Sequence, residues 1–256
     1  MGMNCSGMSV SRKGVWDLCQ AQYKFKYHLK LVTDVEEPIY FAYGSIVHLA
    51  AELYVQNKGK KLISEIAQEI LSGKIPLEES GKLAPALPAE YKRKLPVHLK
   101  NIQKITDQIG FDGELEYNFK IDLDPPHNRY VTGFIDRLIQ RGDKFFILDY
   151  KTTKAGWWRK TAKDIVDDLQ LRVYARVVQK LFDAKAENIK AALYYVEDGE
   201  LVGACFSEES LQKAEQELLS TFMDIINTNP EDVRGNVGEH CKRCDYRKTC
   251  PFYSLT

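Results

Sequence analysis

The sequence predicts an α/β protein in which helices cover the faces of a sheet, and three observations carry that prediction. Residues 114–151 alternate apolar and polar side chains with period two over three short runs, the pattern of a β-meander. Residues 164–182 switch to spacings of three and four, with Ile165, Leu169, Val173, Val177, Val178 and Leu181 on one side, enough helix to cover a sheet face. A second hairpin pattern follows at 189–206, turning at Asp198-Gly199.

The elements follow in order. Residues 1–8 are small and polar and read as a disordered start. Ser9 or Ser11 can cap a short helix that places Val15, Leu18 and Cys19 on one side; taken alone, Cys19 reads as a small buried hydrophobe. The next helix begins near Gly44 or Ser45, with Ile46, Leu49, Ala50, Leu53 and Tyr54 on one face and His48 in its first turns. Residues 59–110 read as a helical insertion: an amphipathic helix over 61–71, a Pro- and Gly-containing loop over 73–88, and one or two helices over 90–109.

The meander comprises strands over 114–121, 129–139 and 144–151, turned at Asp124-Pro-Pro-His127 and at Arg141-Gly142-Asp143. The basic-aromatic stretch Gly156-Trp157-Trp158-Arg159-Lys160 suits either stacking on bases and gripping phosphates or capping a core. In the helix over 164–182, Gln170 and Tyr174 are four apart and share a side. Cys205 alternates inward in the second hairpin, Ser207 caps a last helix reaching about Asn227, and Pro230 follows it. One domain over 1–256 is expected: helices over 9–58, the insertion over 59–110, a core over 111–206, and a helix with a cysteine cluster over 207–256.

Composition bounds the function only loosely. Of 256 residues, 44% are hydrophobic and 28% charged, ordinary for a globular chain able to bury a sizeable core. Lys plus Arg equals Asp plus Glu at 36 each, so any surface for a polyanion must be local. No apolar run approaches a membrane span and the first ten residues lack the pattern of a signal peptide, so a cytoplasmic protein is expected. No Gly-x-x-x-x-Gly-Lys-[Ser/Thr] occurs, which excludes a nucleotide-driven motor of that class within these residues.

The chemistry concentrates at the meander. Asp136 and Asp149 fall on adjacent strands, and Lys151 shares the face of Asp149 because strand side chains alternate. Such charges are costly on apolar strands unless they are paired, bind a metal or react. Two carboxylates with one histidine suit Mg²⁺ or Mn²⁺ and leave positions for water and a phosphate oxygen. A lysine beside them can orient or deprotonate that water and neutralise charge building on the phosphate. Glu116 shares its strand face with Glu114 and Asn118 and faces either water or the site. Three of six cysteines crowd into Cys241-x2-Cys244-x5-Cys250; in a cytosolic chain, clustered cysteines read as metal ligands.

Gly44-x-x-x-His48, Gly133-x-x-Asp136-Arg137, Asp149-Tyr150-Lys151-Thr152 and Gln170-x-x-x-Tyr174 resemble, in order, the motifs of the PD-(D/E)XK nuclease superfamily. They are most similar to its RecB-like branch: the RecB and AddB nuclease domains and the CRISPR-associated RecB-like exonucleases. The resemblance implies a restriction-endonuclease-like core, a central mixed sheet flanked by helices, and a metal-dependent deoxyribonuclease, an exonuclease on single strands or DNA ends. It implies that His48, Asp136, Asp149 and the Tyr150 carbonyl hold Mg²⁺ or Mn²⁺ and that Lys151 is the catalytic lysine. Glu116 would be the acid of the first core strand. Gln170, Tyr174, Arg137, Trp157 and Trp158 would brace the site or contact DNA.

The resemblance also implies a 4Fe-4S cluster on Cys19, Cys241, Cys244 and Cys250, clasping the ends of the chain, with Cys5 and Cys205 outside it. Thiolate spacing equally allows Zn²⁺, with His240 able to replace a cysteine. DNA repair, recombination, phage DNA processing and CRISPR adaptation all suit such a nuclease. Two other readings compete with it. One is a non-catalytic nucleic-acid-binding Fe-S scaffold for a helicase, recombinase or CRISPR integration complex, which has no need of all four of His48, Asp136, Asp149 and Lys151. The other is a redox sensor centred on the cysteines.

Overall fold

The structure is a computed structural model that describes residues 2–3, 5, 7–33, 35, 37–153 and 159–253. The chain runs β1 (Gly7–Met8), α1 (Val10–Leu18), α2 (Gln20–Tyr23), α3 (Ile39–Gln56), α4 (Ile63–Leu71), α5 (Ala89–Ile109) and β2 (Glu114–Asp124). It continues through β3 (Arg129–Arg141), β4 (Lys144–Lys151), α6 (Leu169–Phe182), β5 (Ile189–Tyr195), β6 (Glu200–Cys205) and α7 (Glu208–Asn227). Two compact units result: one holds residues 1–36, 118–133 and 208–256, the other 37–117 and 134–207. The first unit thus draws on both ends of the chain.

In the unit formed by 37–117 and 134–207, β3 pairs antiparallel with β4 (Arg137↔Leu148, Arg141↔Lys144) across a turn in which Gly142 has φ +63°. β4 runs parallel to β5 with Asp149 opposite Leu193, and β5 pairs antiparallel with β6. A parallel pair needs a crossover, and α6 supplies it, packed against both strands. Helices α3, α4 and α5 build the core: Ile46, Val47, Ala50, Ile66, Ile70 and Ile102 are buried together with Leu148 and Ala192 of the strands. Each such Ile contributes about 1.5–3 kcal/mol on burial.

Two helix boundaries differ from those the periodicity predicts. α3 begins at Ile39, because Pro38 at ψ 134° is suited to precede a helix, so Gly44 and His48 lie within it and not at its start. Residues 164–182 are not one helix. Asp168 is extended (ψ 111°) and its carboxylate accepts the Leu171 amide at 2.8 Å, so a short 3₁₀ turn (Ile165–Asp167) precedes α6. A side chain that caps is one that ends the preceding turn. Cys205, expected inside, is exposed at the end of β6.

In the other unit the described residues before Ser9 are built into the fold: Gly7 and Met8 pair parallel with Tyr130 and Val131 of β3, and Met3 and Met8 are buried. Ser9 caps α1, accepting the Arg12 amide at 3.1 Å. Cys19 is buried in the extended break between α1 and α2. α7 buries Leu211, Ala214, Leu218, Phe222 and Ile225. Strand β2 pairs with β3 and runs to Asp124, three residues farther than its alternation indicates. Among the described residues, no helix is long and apolar enough to cross a membrane.

Candidate active site

Three elements of one unit deliver three side chains able to ligate a metal to one point. His48 comes from the middle of α3, Glu116 from β2 and Asp136 from β3, with donor atoms all within 4.8 Å of one another. His48 Nδ1 stands 3.4 Å from Asp136 Oδ2, and the same oxygen accepts the Tyr150 amide at 2.7 Å. The Tyr150 peptide thus lies beside the site, and its backbone opposes the lowering of His48.

Glu116 reaches the trio by an unusual backbone. Its φ is +46°, a left-handed conformation costing roughly 1–3 kcal/mol in a residue with a Cβ. The turn breaks the strand alternation that would have grouped Glu116 with Glu114 and Asn118, and it aims the carboxylate at His48 and Asp136. Sequence parity therefore left the direction of this side chain undecided.

Asp149 and Lys151 form a second group beside the first. Asp149 is buried, and Lys151 Nζ lies 2.6 Å from its Oδ2. Lys151 also donates to Gln170 Oε1 at 3.0 Å, and Gln170 Nε2 donates to the buried Tyr174 hydroxyl at 2.8 Å. The first turns of α6, positioned by the Asp168 cap, thus hold the lysine in place.

The electrostatics show a site short of positive charge. Burial, reinforced by Asp136, pushes Glu116 up to about 7. Burial and the neighbouring Asp149 lift Asp136 well above the usual carboxylate range, against the pull of the Tyr150 amide and Lys151. Burial lowers His48, opposed by Asp149 and Glu116, which favours the neutral imidazole a metal requires. Burial alone would lower Lys151, but Asp149 and Asp136 hold its ammonium above the ordinary value.

The other expected site residues lie elsewhere. Arg137 has no exposed surface, and its guanidinium donates to the carbonyls of Gly110 (2.5 Å) and Asp112 (2.8 Å), so it braces the loop before β2 and cannot touch a strand of DNA. Trp157 and Trp158 lie outside the described residues. The cations after them are matched locally: Arg159 pairs with Asp198 and Glu200 over the Tyr195 ring, and Lys160 pairs with Asp168.

The sequence reading also missed residues. Glu52, one turn beyond His48 on α3, is half-buried, raises Glu116 further and has its own carboxyl raised by burial. Its spacing of four from His48 was the available signal. Glu52 lines a cavity of about 960 Å³ together with His48, Glu116, Phe134 and the loop over 75–80.

In the other unit Cys19, Cys241, Cys244 and Cys250 line one small cavity. Burial raises the Cys244 thiol, and Cys19, Cys241 and Cys250 each add to the effect. Backbone amides point at two of these sulfurs, Asn236 N to Cys19 Sγ at 3.4 Å and Gly238 N to Cys241 Sγ at 3.5 Å. His240 lines the same cavity with its Nε2 buried and without a hydrogen-bond partner. Cys5 stands apart, accepting from the Tyr23 hydroxyl at 3.5 Å.

The family model of the PD-(D/E)XK nuclease superfamily matches residues 7–251. No curated protein matches the chain. Among solved structures, the crystal structure of a "Putative exonuclease" from Eubacterium rectale is 14% identical, with a TM-score of 0.54 over 94% of this chain and 88% of that one. The crystal structure of SSO0001 is 16% identical, covers 91% of this chain and 95% of its own, and has a TM-score of 0.39. The likeness to the first is one of fold.

Proposed function

The chain belongs to the PD-(D/E)XK nuclease superfamily, and from that premise we propose that it is a Mg²⁺- or Mn²⁺-dependent deoxyribonuclease of the RecB-like branch, an exonuclease acting on single strands or DNA ends. The observation that carries the reading is the trio of His48, Glu116 and Asp136, with donors within 4.8 Å, beside the Lys151–Asp149 pair. Two carboxylates and an imidazole on three separate elements are a donor set for a hard divalent cation.

His48, Glu116 and Asp136 would hold the ion, with the Tyr150 peptide and Asp149 beside them, Asp149 paired with Lys151. A bound ion would supply a water of lowered pKa and polarise a phosphate oxygen. Lys151, fixed by Asp149 and Gln170, is placed to neutralise charge on the scissile phosphate and to orient its attacking water. Tyr174 holds Gln170 in place, and Gln170 in turn holds the lysine.

Cys19, Cys241, Cys244 and Cys250 are proposed to carry a 4Fe-4S cluster that closes residues 1–36 onto 208–256 within their unit. The four thiols around one cavity and the amides aimed at two sulfurs support this. The competing occupant is Zn²⁺, which His240 could also serve. The chemistry suits ends produced in repair, recombination, phage DNA processing or CRISPR adaptation, delivered by a helicase, recombinase or integration complex.

The test is incubation with end-labelled single-stranded and duplex DNA, linear and circular, with Mn²⁺. Asp149→Ala and Lys151→Ala should each lower cleavage by on the order of 10²-fold or more while leaving the fold and DNA binding intact. Undiminished cleavage in both variants overturns the assignment. Iron and sulfide analysis of the same preparation separates a cluster from zinc.

A further inference from the structure

We propose that Phe134 is the platform on which an unpaired base beside the scissile phosphate stacks, so that the cavity next to the metal trio accepts a base and not a backbone. The inference rests on the nuclease reading above and adds the element that selects the substrate.

Phe134 lies two residues before Asp136 on β3, so the two side chains project from the same face of the strand. Its neighbour Ile135 is buried on the other face, whereas Phe134 is 52% exposed and lines the cavity with His48 and Glu116. A single exposed aromatic residue ordinarily needs no explanation. This one stands on the strand that carries a metal-binding carboxylate and opens into the same cavity.

The rest of the lining limits what can occupy that space. Leu49, Ile75, Pro76 and Leu77 give it apolar walls, and Glu52, Glu78 and Glu79 stand among them. Lys82 offsets Glu78 at 3.2 Å but is shared with Glu37 at 2.8 Å. A phosphate entering here would meet carboxylates, whereas a base offers an apolar face to the walls and amino groups to the acids. Phosphates therefore stay at the metal and Lys151, and the base turns toward Phe134. A base held in a duplex would first have to unpair, at a cost of a few kcal/mol, so the arrangement favours single strands.

A second exposed aromatic lies on the approach. Phe41 is 53% exposed and shares one stripe of α3 with Ser45, His48 and Glu52, about 10 Å up the helix from His48. Aromatic residues spaced along a path toward a cutting site suit a flexible strand with free base faces.

The experiment uses the full protein with Ca²⁺ in place of Mn²⁺, and a single-stranded oligonucleotide carrying 2-aminopurine at each position in turn. Stacking on Phe134 should quench one position. Phe134→Trp should preserve the quench, and Phe134→Leu, which keeps the side chain apolar, should abolish it. Phe134→Ala should weaken binding of the intact strand by roughly 5- to 150-fold and have no effect on a strand whose quenched position is abasic. Quenching and affinity that match wild type in both Phe134→Leu and Phe134→Ala overturn the stacking role, and the nuclease reading survives if Mn²⁺ still supports cleavage. A wild-type protein that neither binds nor cuts any strand removes the nuclease reading, and this inference with it.

Discussion

Replacing Glu116 by Gln should stabilise the metal-free protein at high pH. Glu116 is raised from 4.5 to about 7, first by burial and then by Asp136. A carboxyl whose folded-state pKa lies above its unfolded value contributes stability that is full below about 4.5 and lost as pH rises through about 7. The shift corresponds to about 3 kcal/mol between those limits. Gln is nearly isosteric, stays neutral and occupies the same left-handed backbone, so the conformational strain cancels in the comparison. In EDTA at pH 8 the variant should melt several degrees above wild type, since a chain of this size moves by about 2–4 °C per kcal/mol. At pH 5, where the wild-type loss has only begun, the two should melt close together. Mn²⁺ at pH 8 should reverse the order, because wild type gains binding energy that a neutral amide cannot supply. Thermal denaturation followed by circular dichroism at the two pH values, with EDTA or Mn²⁺, measures all four. Equal offsets at pH 5 and pH 8 in EDTA, or a variant less stable than wild type at pH 8 without metal, would refute the reasoning.

Two further perturbations bear on parts of the chain away from the metal. Arg137→Met keeps an apolar stem but strands the Gly110 and Asp112 carbonyls that the guanidinium now satisfies; it should cost about 3 kcal/mol or more. DNA affinity of the folded protein, and its slope with salt, should stay at wild-type values, whereas a salt slope lowered by one contact would show that Arg137 meets a phosphate. Cys244→Ser should remove iron, visible absorbance and thermal stability together if four thiols hold a cluster; a variant that keeps full iron content contradicts the ligand set.

The placements legible in the sequence were those governed by a single local period. Asp149 and Lys151 pair in the structure because strand side chains two apart share a face, and Gln170 reaches Tyr174 because helix side chains four apart do. What failed did so where one residue overrides its period. Asp168 sits inside a helical pattern yet caps α6 instead of continuing the turn before it. Pro38 starts α3 earlier than the apolar stripe indicates and thereby puts His48 in the middle of a rigid helix. β1 is two residues long, too short for any alternation, and is defined by its partners Tyr130 and Val131. Glu116 is the clearest case, since one left-handed residue interrupts the alternation of β2 at the position that matters for the site.

The departure at Glu116 bears on what the site is built to do. A structural ion pair draws the pKa of its carboxylate down; here Glu116 and Asp136 are both driven up, and burial holds His48 toward its neutral form. The cation that acts on Asp136, Lys151, is committed to Asp149 and Gln170. Left-handed backbone at Glu116 adds conformational cost to the electrostatic cost. A fold retains such a cluster against its own stability where another charge completes it. Two positive charges on one small ion, placed among three donors within 4.8 Å, relieve both carboxylates and accept the neutral imidazole, which a second lysine could not do. The same logic separates this trio from the Lys151–Asp149 pair beside it: the pair is neutralised within the chain, and the trio is left for an ion to complete.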